Sequence, residues 1–230
     1  MKHFNILNIF KRLDNESYCL IKKSEIFPKY IIGSDFDIFC YDAIAVSEKI
    51  ASYFNEHITD SLSLRITTNE NKIVVDVLDN NSIYLRFDLY RKLPNFEQVS
   101  IRDSFFLSVI ENHQVIVIND QEIFIPSDLD DAILRYIEYY EWFDRRPDKI
   151  KHALMVEKYI NDKKIDELAF LNKLHYYLKF PVRLDARRVS QNSLVRKLKR
   201  VLRKISRVIP TFRKNGFLPT MKIIIQRIKQ

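Results

Sequence analysis

The chain has 230 residues, 47% apolar and 30% charged, with a formal net charge of +8. That balance fits a globular protein of one large domain or two small ones, and it excludes a disordered chain. Cys19 and Cys40 form neither a C-x-x-C nor a zinc spacing, and no run approaches the ~20 apolar residues of a spanning helix, so a reduced cytosolic setting is expected.

Met1–Arg12 lacks the long apolar core and cleavage site of a signal peptide. Residues 4–12 predict a short helix, with Phe4, Leu7, Ile9 and Phe10 as a rough apolar stripe, and Ser17–Lys22 reads as a strand. Phe27 and Pro28 bring a turn or an extended piece. Tyr30–Cys40 contains a strand carrying Asp35 and Asp37 among Ile, Phe and Cys. Strand side chains alternate between faces, so both acids point one way while Phe36 and Ile38 point into the core. From Asp42 to Phe54, Ile44, Ala45, Ile50, Ala51 and Phe54 follow helical spacing. Three strands come next, Leu62–Thr67, Lys72–Leu78 and Ile83–Tyr90, joined by Asn- and Asp-rich links of the kind tight hairpins use. A further pair, Val115–Ile118 and Glu122–Ile125, flanks the turn Asn119-Asp120-Gln121.

At Pro126 the pattern changes. Ser127 suits a helix cap, with Asp130 closing a capping box, and Leu129, Ile133, Tyr136, Ile137 and Tyr140 line one face. Asp144 or Pro147 starts a second helix that runs to about Ile160. A third runs from about Lys164 to Leu178, with Leu168, Leu171, Leu174 and Leu178 inward. Arg145, Arg146, Lys149, Lys151 and His152 open the second helix. They read either as contacts to a nucleotide or acceptor phosphate, or as an exposed basic helix start capped by Asp144. Tyr139 and Trp142 read as bundle packing, and the five histidines have no metal-ligand spacing.

Residues 183–230 hold 15 Lys and Arg against one acid, Asp185, so the rest of the chain is net acidic. Ser190–Ile209 is the cleanest predicted helix: Leu194, Leu198, Val201, Leu202, Ile205, Val208 and Ile209 form one stripe, and basic residues fill most of the remainder. Such asymmetry points to an anionic partner. Residues 190–228 suit an anionic membrane surface, with RNA phosphates as the alternative and packing on the protein's own body or a sister subunit as the third reading. The elements together predict an α+β fold: a mixed sheet with flanking helices over residues 1–126, a helical domain over 127–182, and a basic amphipathic tail over 183–230.

The chain has two glycines, and Gly33 directly precedes Ser34 and the acid pair. Paired acids on a strand beside a glycine–serine bend suit a divalent cation held against a nucleotide's phosphates. The stretch Lys23–Phe39 resembles the signature of the DNA polymerase beta-like nucleotidyltransferase superfamily. That signature is a small-residue pair, a spacer, then acid, apolar, acid, apolar on a strand, here Asp35, Phe36, Asp37 and Ile38. In one alignment Ser24 holds the position of the signature's serine and Lys23 stands where the family usually has glycine. In the other, Gly33 and Ser34 form the small pair with no spacer. The family's third acid lies on a later strand between apolar residues. Asp88 in Leu85–Tyr90 matches, and so does Asp76 in Val74–Val77. Asp88 is favoured because Arg91 and Lys92 follow it, while Asp76 reads as a solvated strand-face residue.

The resemblance covers about residues 15–160 and is closest to divergent nucleotidyltransferase-like proteins of bacterial surface-polysaccharide loci. It implies a nucleotidyltransferase-type sheet on which Asp35, Asp37 and Asp88 hold Mg²⁺ (two ions, with Mn²⁺ as a substitute). It also implies that Lys23, Ser24, Gly33, Ser34, Arg91 and Lys92 contact a nucleoside triphosphate or activated nucleotide, and that Asp88 accepts the acceptor's proton. The acceptor is then a hydroxyl or phosphate, as on a surface-polysaccharide sugar, in the cytoplasm or on the inner face of the membrane. Two alternatives stand beside it: toxin-type transfer to RNA, and a catalytically inactive membrane-associated scaffold.

Overall fold

Period-two alternation in three strands decides which side of the sheet is covered. β2 (Ser34–Cys40) turns Phe36, Ile38 and Cys40 to one side, β4 (Lys72–Asp79) turns Ile73, Val75 and Val77, and β5 (Ser82–Tyr90) turns Leu85, Phe87 and Leu89. With β1 (Tyr18–Ile21) and β3 (Leu62–Thr68) they form a five-stranded sheet in the order β1-β2-β5-β4-β3. β2 and β5 run parallel, and the other neighbours antiparallel. The computed structural model describes residues 4–58, 61–94, 96, 98–143 and 145–179. All lie in Met1–Val182, the first of two units, the second being Arg183–Gln230. The predicted cap Asp144 and the basic amphipathic tail lie outside the described residues.

The apolar side packs against α1 (Ile6–Lys11) and α2 (Ala43–His57), and Ile9, Phe10, Ile50 and Phe54 share one core with the strands. Phe87 is the hinge of that core, its ring stacked on Phe36 at 5.2 Å and 5.9 Å from Phe54. A fully buried side chain of this size contributes roughly 1.5–3 kcal/mol. Both helices start on side-chain caps: Asn5 accepts from Leu7 N at 3.1 Å, and Asp42 accepts from Ile44 N and Ala45 N at 3.0 Å each. The hairpins β4–β5 and β6–β7 (Gln114–Ile118 and Gln121–Ile125) turn through Asn80-Asn81 and Asn119-Asp120. All four turn residues have positive φ, the left-handed conformation that tight hairpins need and that Asn and Asp tolerate.

α3 (Ser104–Glu111) has no counterpart in the sequence reading. Asp103 precedes it without a side-chain cap bond, so no start signal marks it. Burial holds it instead: Phe105 and Phe106 are sequestered, and Phe106 packs 4.7 Å from Phe39. α4 (Asp128–Trp142) starts where expected, with Ser127 Oγ accepting from Asp130 N at 3.2 Å. The hydroxyl also donates to the Asp130 carboxylate at 2.8 Å. A 3-10 turn at Pro147–Lys149 leads into α5 (Ile150–Asn161). α6 (Glu167–Tyr177) begins later than expected, because Asp166 caps it through Ala169 N at 2.8 Å. Phe170 and Leu174 therefore face inward, with Leu178 just beyond, while Leu168 is exposed. The acid-bearing strand expected within Tyr30–Cys40 is β2, Ser34–Cys40. No helix among the described residues is long and apolar enough to cross a membrane.

Candidate functional site

The same alternation that buries Phe36 and Ile38 puts Asp35 and Asp37 on the opposite face of β2. On β5 it puts Arg86, Asp88 and Tyr90 on that face, and on β4 Lys72, Val74 and Asp76. The parallel register then makes Asp37 the direct partner of Asp88, and Asp35 the partner of Arg86. Two acids distant in sequence thus sit side by side, on strands about 4.8 Å apart. The third predicted acid, Asp35, is exposed two residues along the same face.

Two lysines balance the pair. Lys72 Nζ lies 2.5 Å from Asp88 Oδ2. Lys22 Nζ bridges Asp37 Oδ2 at 2.6 Å and Glu138 Oε2, on α4, at 2.8 Å. Glu138 is also paired with Lys149, and His152 Nε2 stands 3.8 Å from it. Tyr90 lies on the same face beside the pair, and Lys72 Nζ lies 5.2 Å from the centroid of its ring. Lys149 and His152 are therefore turned into the protein, whereas Arg145, Arg146 and Lys151 are exposed.

The electrostatics follow from this packing. Burial pushes the Asp88 carboxyl above its ordinary range; Lys72 opposes the rise without cancelling it, and the charge of Asp37 adds to it. Burial also raises the Tyr90 hydroxyl, helped by Asp37 and Asp88. For Lys22, burial alone would lower the pKa, but Asp37 and Glu138 outweigh it and hold the ammonium charged. Burial would raise Glu138, yet Lys22 and Lys149 hold it down at about 2. His152 is lowered to about 4 by burial, against the pull of Glu138.

The remaining predicted contacts do not converge. Gly33 takes φ +83°, and its N–H donates to Tyr84 O at 2.8 Å, tying the start of β2 to β5. Ser34 Oγ accepts from Ile31 N at 3.1 Å and closes the preceding turn. Ser24 is exposed in the loop before β2, and Lys23 Nζ is 3.4 Å from Ser24 O and 6.0 Å from the centre of the Phe27 ring. Arg91 and Lys92 reach the β3–β4 turn: Arg91 Nη2 donates to Asn69 O at 2.6 Å, and Lys92 pairs with Glu70 at 2.5 Å. Gly33 and Ser34 thus lie at one end of the parallel pair, and Arg91 and Lys92 at the other. Seven strand residues between them span about 20 Å.

Asp76 is not a solvated strand-face residue. It is 1% exposed and held by Arg65 at 2.7 Å and Arg86 at 2.6 Å. Lys22, Lys72 and Glu138 were not singled out from the sequence. Lys72 has a partial signal, since it shares the period-two phase of Asp76 on β4. Lys22 and Glu138, 116 positions apart, have none.

Among the described residues, no three carboxylate, imidazole or thiolate groups enclose a cation by themselves. One oxygen of each paired carboxylate, Asp37 Oδ2 and Asp88 Oδ2, is taken by a lysine, which leaves the Oδ1 side for a divalent ion. Asp88 Oδ1 is buried with no hydrogen-bond partner, and Asp37 stands beside it. Mg²⁺ is commonly held by one or two carboxylates together with substrate phosphates rather than by a complete protein cage.

No family model matches the chain, and neither does any curated protein. Two solved structures resemble it. JHP933 from Helicobacter pylori is 14% identical with a TM-score of 0.32, covering 89% of this chain and 93% of that one. A candidate nucleotidyltransferase from H. pylori is 17% identical with a TM-score of 0.29, covering 75% of this chain and 88% of that one. At such scores neither likeness bears on function, which has to be read from this chain's own residues.

Proposed function

We propose that this chain is a metal-dependent nucleotidyltransferase, taking a nucleoside triphosphate and passing its nucleotidyl group to a hydroxyl or phosphate acceptor. The observation that carries the reading is the Asp37–Asp88 register pair with its unpartnered buried oxygen, Asp88 Oδ1. In this reading Asp37 and Asp88 hold Mg²⁺ together with the nucleotide's phosphates, and Asp35 completes the set from the rim. When bound, the ion supplies charge neutralisation at the phosphates and a lowered pKa at the attacking hydroxyl. Asp88, raised above its ordinary range by burial, would accept the hydroxyl's proton. Lys22 and Lys72 keep the carboxylates in place until substrate arrives, and Glu138 retains Lys22 afterwards. A sugar of a surface polysaccharide remains our proposed acceptor, from the motif resemblance.

The test is incubation of the full chain with labelled nucleotides and Mg²⁺, scored for pyrophosphate release. Asp37→Asn abolishes release while leaving the circular dichroism spectrum unchanged; a fully active variant removes the assignment. The two lysine ion pairs favour one second reading, a nucleotide-binding copy that no longer transfers. It predicts nucleotide-dependent thermal stabilisation without pyrophosphate release. For residues 190–228 the sequence supports docking on an anionic bilayer. Vesicle flotation checks this, since chain lacking residues 183–230 should no longer float with anionic lipid.

A further inference from the structure

Beside the acidic pair, the same face of the sheet carries a second polar row. In register it reads Asp35 on β2, Arg86 on β5, Asp76 on β4 and Arg65 on β3. Asp76 is the unusual member. Its side chain is 2% exposed, whereas those of Arg65 and Arg86 are 53% and 31% exposed. Taking a carboxylate out of water is costly, and apolar residues usually serve packing as well or better. Val75 and Val77 do that on the opposite face of the same strand. Asp76 therefore needs a reason beyond packing, and its bonds suggest one.

Arg86 donates from Nε to Asp76 Oδ1 at 2.6 Å and from Nη2 to Oδ2 at 3.0 Å. Arg65 donates from Nε at 3.3 Å and from Nη2 at 2.7 Å, both to Oδ2. One buried carboxylate thus grips the Nε–Nη2 edge of two guanidiniums and fixes their planes. Nη1 of each takes no part in these bonds. Asp35 and Asp88 offset charge on the Arg86 side, so the positive charge of the row is concentrated at half-exposed Arg65, and a fixed guanidinium fork matches the oxygens of a phosphate. α2 packs on the other face of β3 and β4.

We propose that Arg65, Asp76 and Arg86 form a phosphate subsite. It takes a phosphate ester of the molecule whose reacting end lies at Asp37 and Asp88, with Asp76 as the positioning residue. The link to the acidic pair rests on the transferase reading; the anion site itself does not. Arg86 lies one strand from Asp35 and two residues from Asp88, about 7 Å along the strand, and Arg65 lies two strands further, about 10 Å. A phosphate there belongs either to the acceptor or to an outer part of the nucleotide.

The test is calorimetric titration of the full chain with sodium pyrophosphate in the absence of metal, comparing the native sequence with Arg65→Gln, Arg86→Gln and, as control, Lys158→Gln. Each arginine variant should bind roughly tenfold more weakly, the loss of a charge-assisted hydrogen bond, while Lys158→Gln, which removes an exposed cation of α5, keeps its affinity. Arg65→Lys, which retains the charge but not the fork, should fall between. Arg65 is the more exposed of the two, so its variants carry the test if Arg86→Gln fails to fold. Equal binding by native and folded arginine variants overturns the subsite and points to the basic 183–230 segment as the anion's site; absence of saturable binding by the native chain overturns it as well. A second titration with ATP and Mg²⁺ separates the sources. Weakening by Arg65→Gln assigns the phosphate to the nucleotide, and unchanged nucleotide affinity assigns it to the acceptor. Because the first titration contains no metal, absence of transfer activity leaves its outcome standing.

Discussion

Replacing Lys72 by methionine tests the electrostatics of the acidic pair most directly. The substitution keeps an unbranched side chain over the Tyr90 ring but removes the ammonium 2.5 Å from Asp88 Oδ2. Asp88, whose side chain is 10% exposed and adjoins Asp37, must then stay charged without a partner or take up a proton. Breaking a buried pair from one side costs about 3–5 kcal/mol. Protonation sets the ceiling. From an ordinary value of 3.8, at about 1.36 kcal/mol per unit, it costs about 4 kcal/mol at pH 7 and about 1.6 kcal/mol at pH 5. In the native chain Asp88 already sits above its ordinary range, so the folded state binds its proton more tightly than the unfolded state. This group's contribution therefore falls as pH rises above about 4, and Lys72→Met steepens the fall. Urea denaturation followed by circular dichroism should show a deficit below about 4 kcal/mol at pH 7 that shrinks below about 1.6 kcal/mol at pH 5. Adding Asp88→Asn to the variant should recover most of the loss at pH 7. Equal deficits at both pH values would refute the reasoning and assign the role of Lys72 to its ammonium contact with the Tyr90 ring rather than to the charge of Asp88.

Glu138 gives the opposite sign. Held at about 2 against an ordinary 4.5, it contributes stability that is present above pH 4.5 and lost as pH falls toward 2, about 3 kcal/mol in all. Glu138→Gln should flatten the stability curve within that window, and an unchanged acid limb in denaturation would contradict the Lys22–Glu138–Lys149 network. At Gly33 an added Cβ would meet only Ile83 O at 3.9 Å, an ordinary contact, but φ is +83°. Gly33→Ala should therefore cost about 1 kcal/mol, from the backbone alone. A loss several times larger in the same denaturation assay would mean that the β1–β2 loop rearranges.

Local pattern makes much of this protein legible in its sequence. Period-two alternation put Asp35 and Asp37 on one face and Phe36 and Ile38 on the other. Asn-Asn and Asn-Asp pairs marked both hairpins, and Ser127 marked the start of α4. Such signals act within a few residues, so the chain alone carries them. α3 escaped because no cap announces it and its hold is the burial of Phe105 and Phe106. The phase of α6 depended on which acid capped it, and Asp166 did so.

What tertiary structure alone decided is the company each charge keeps. The parallel register of β2 and β5 joined Asp37 to Asp88, and the antiparallel ones buried Asp76 between two arginines. Folding α4 toward the end of β1 brought Glu138 to Lys22 across 116 positions of sequence. Charges at that separation leave no periodic trace in the chain, because only the closed sheet and the helix packed beside it bring them within a few ångströms.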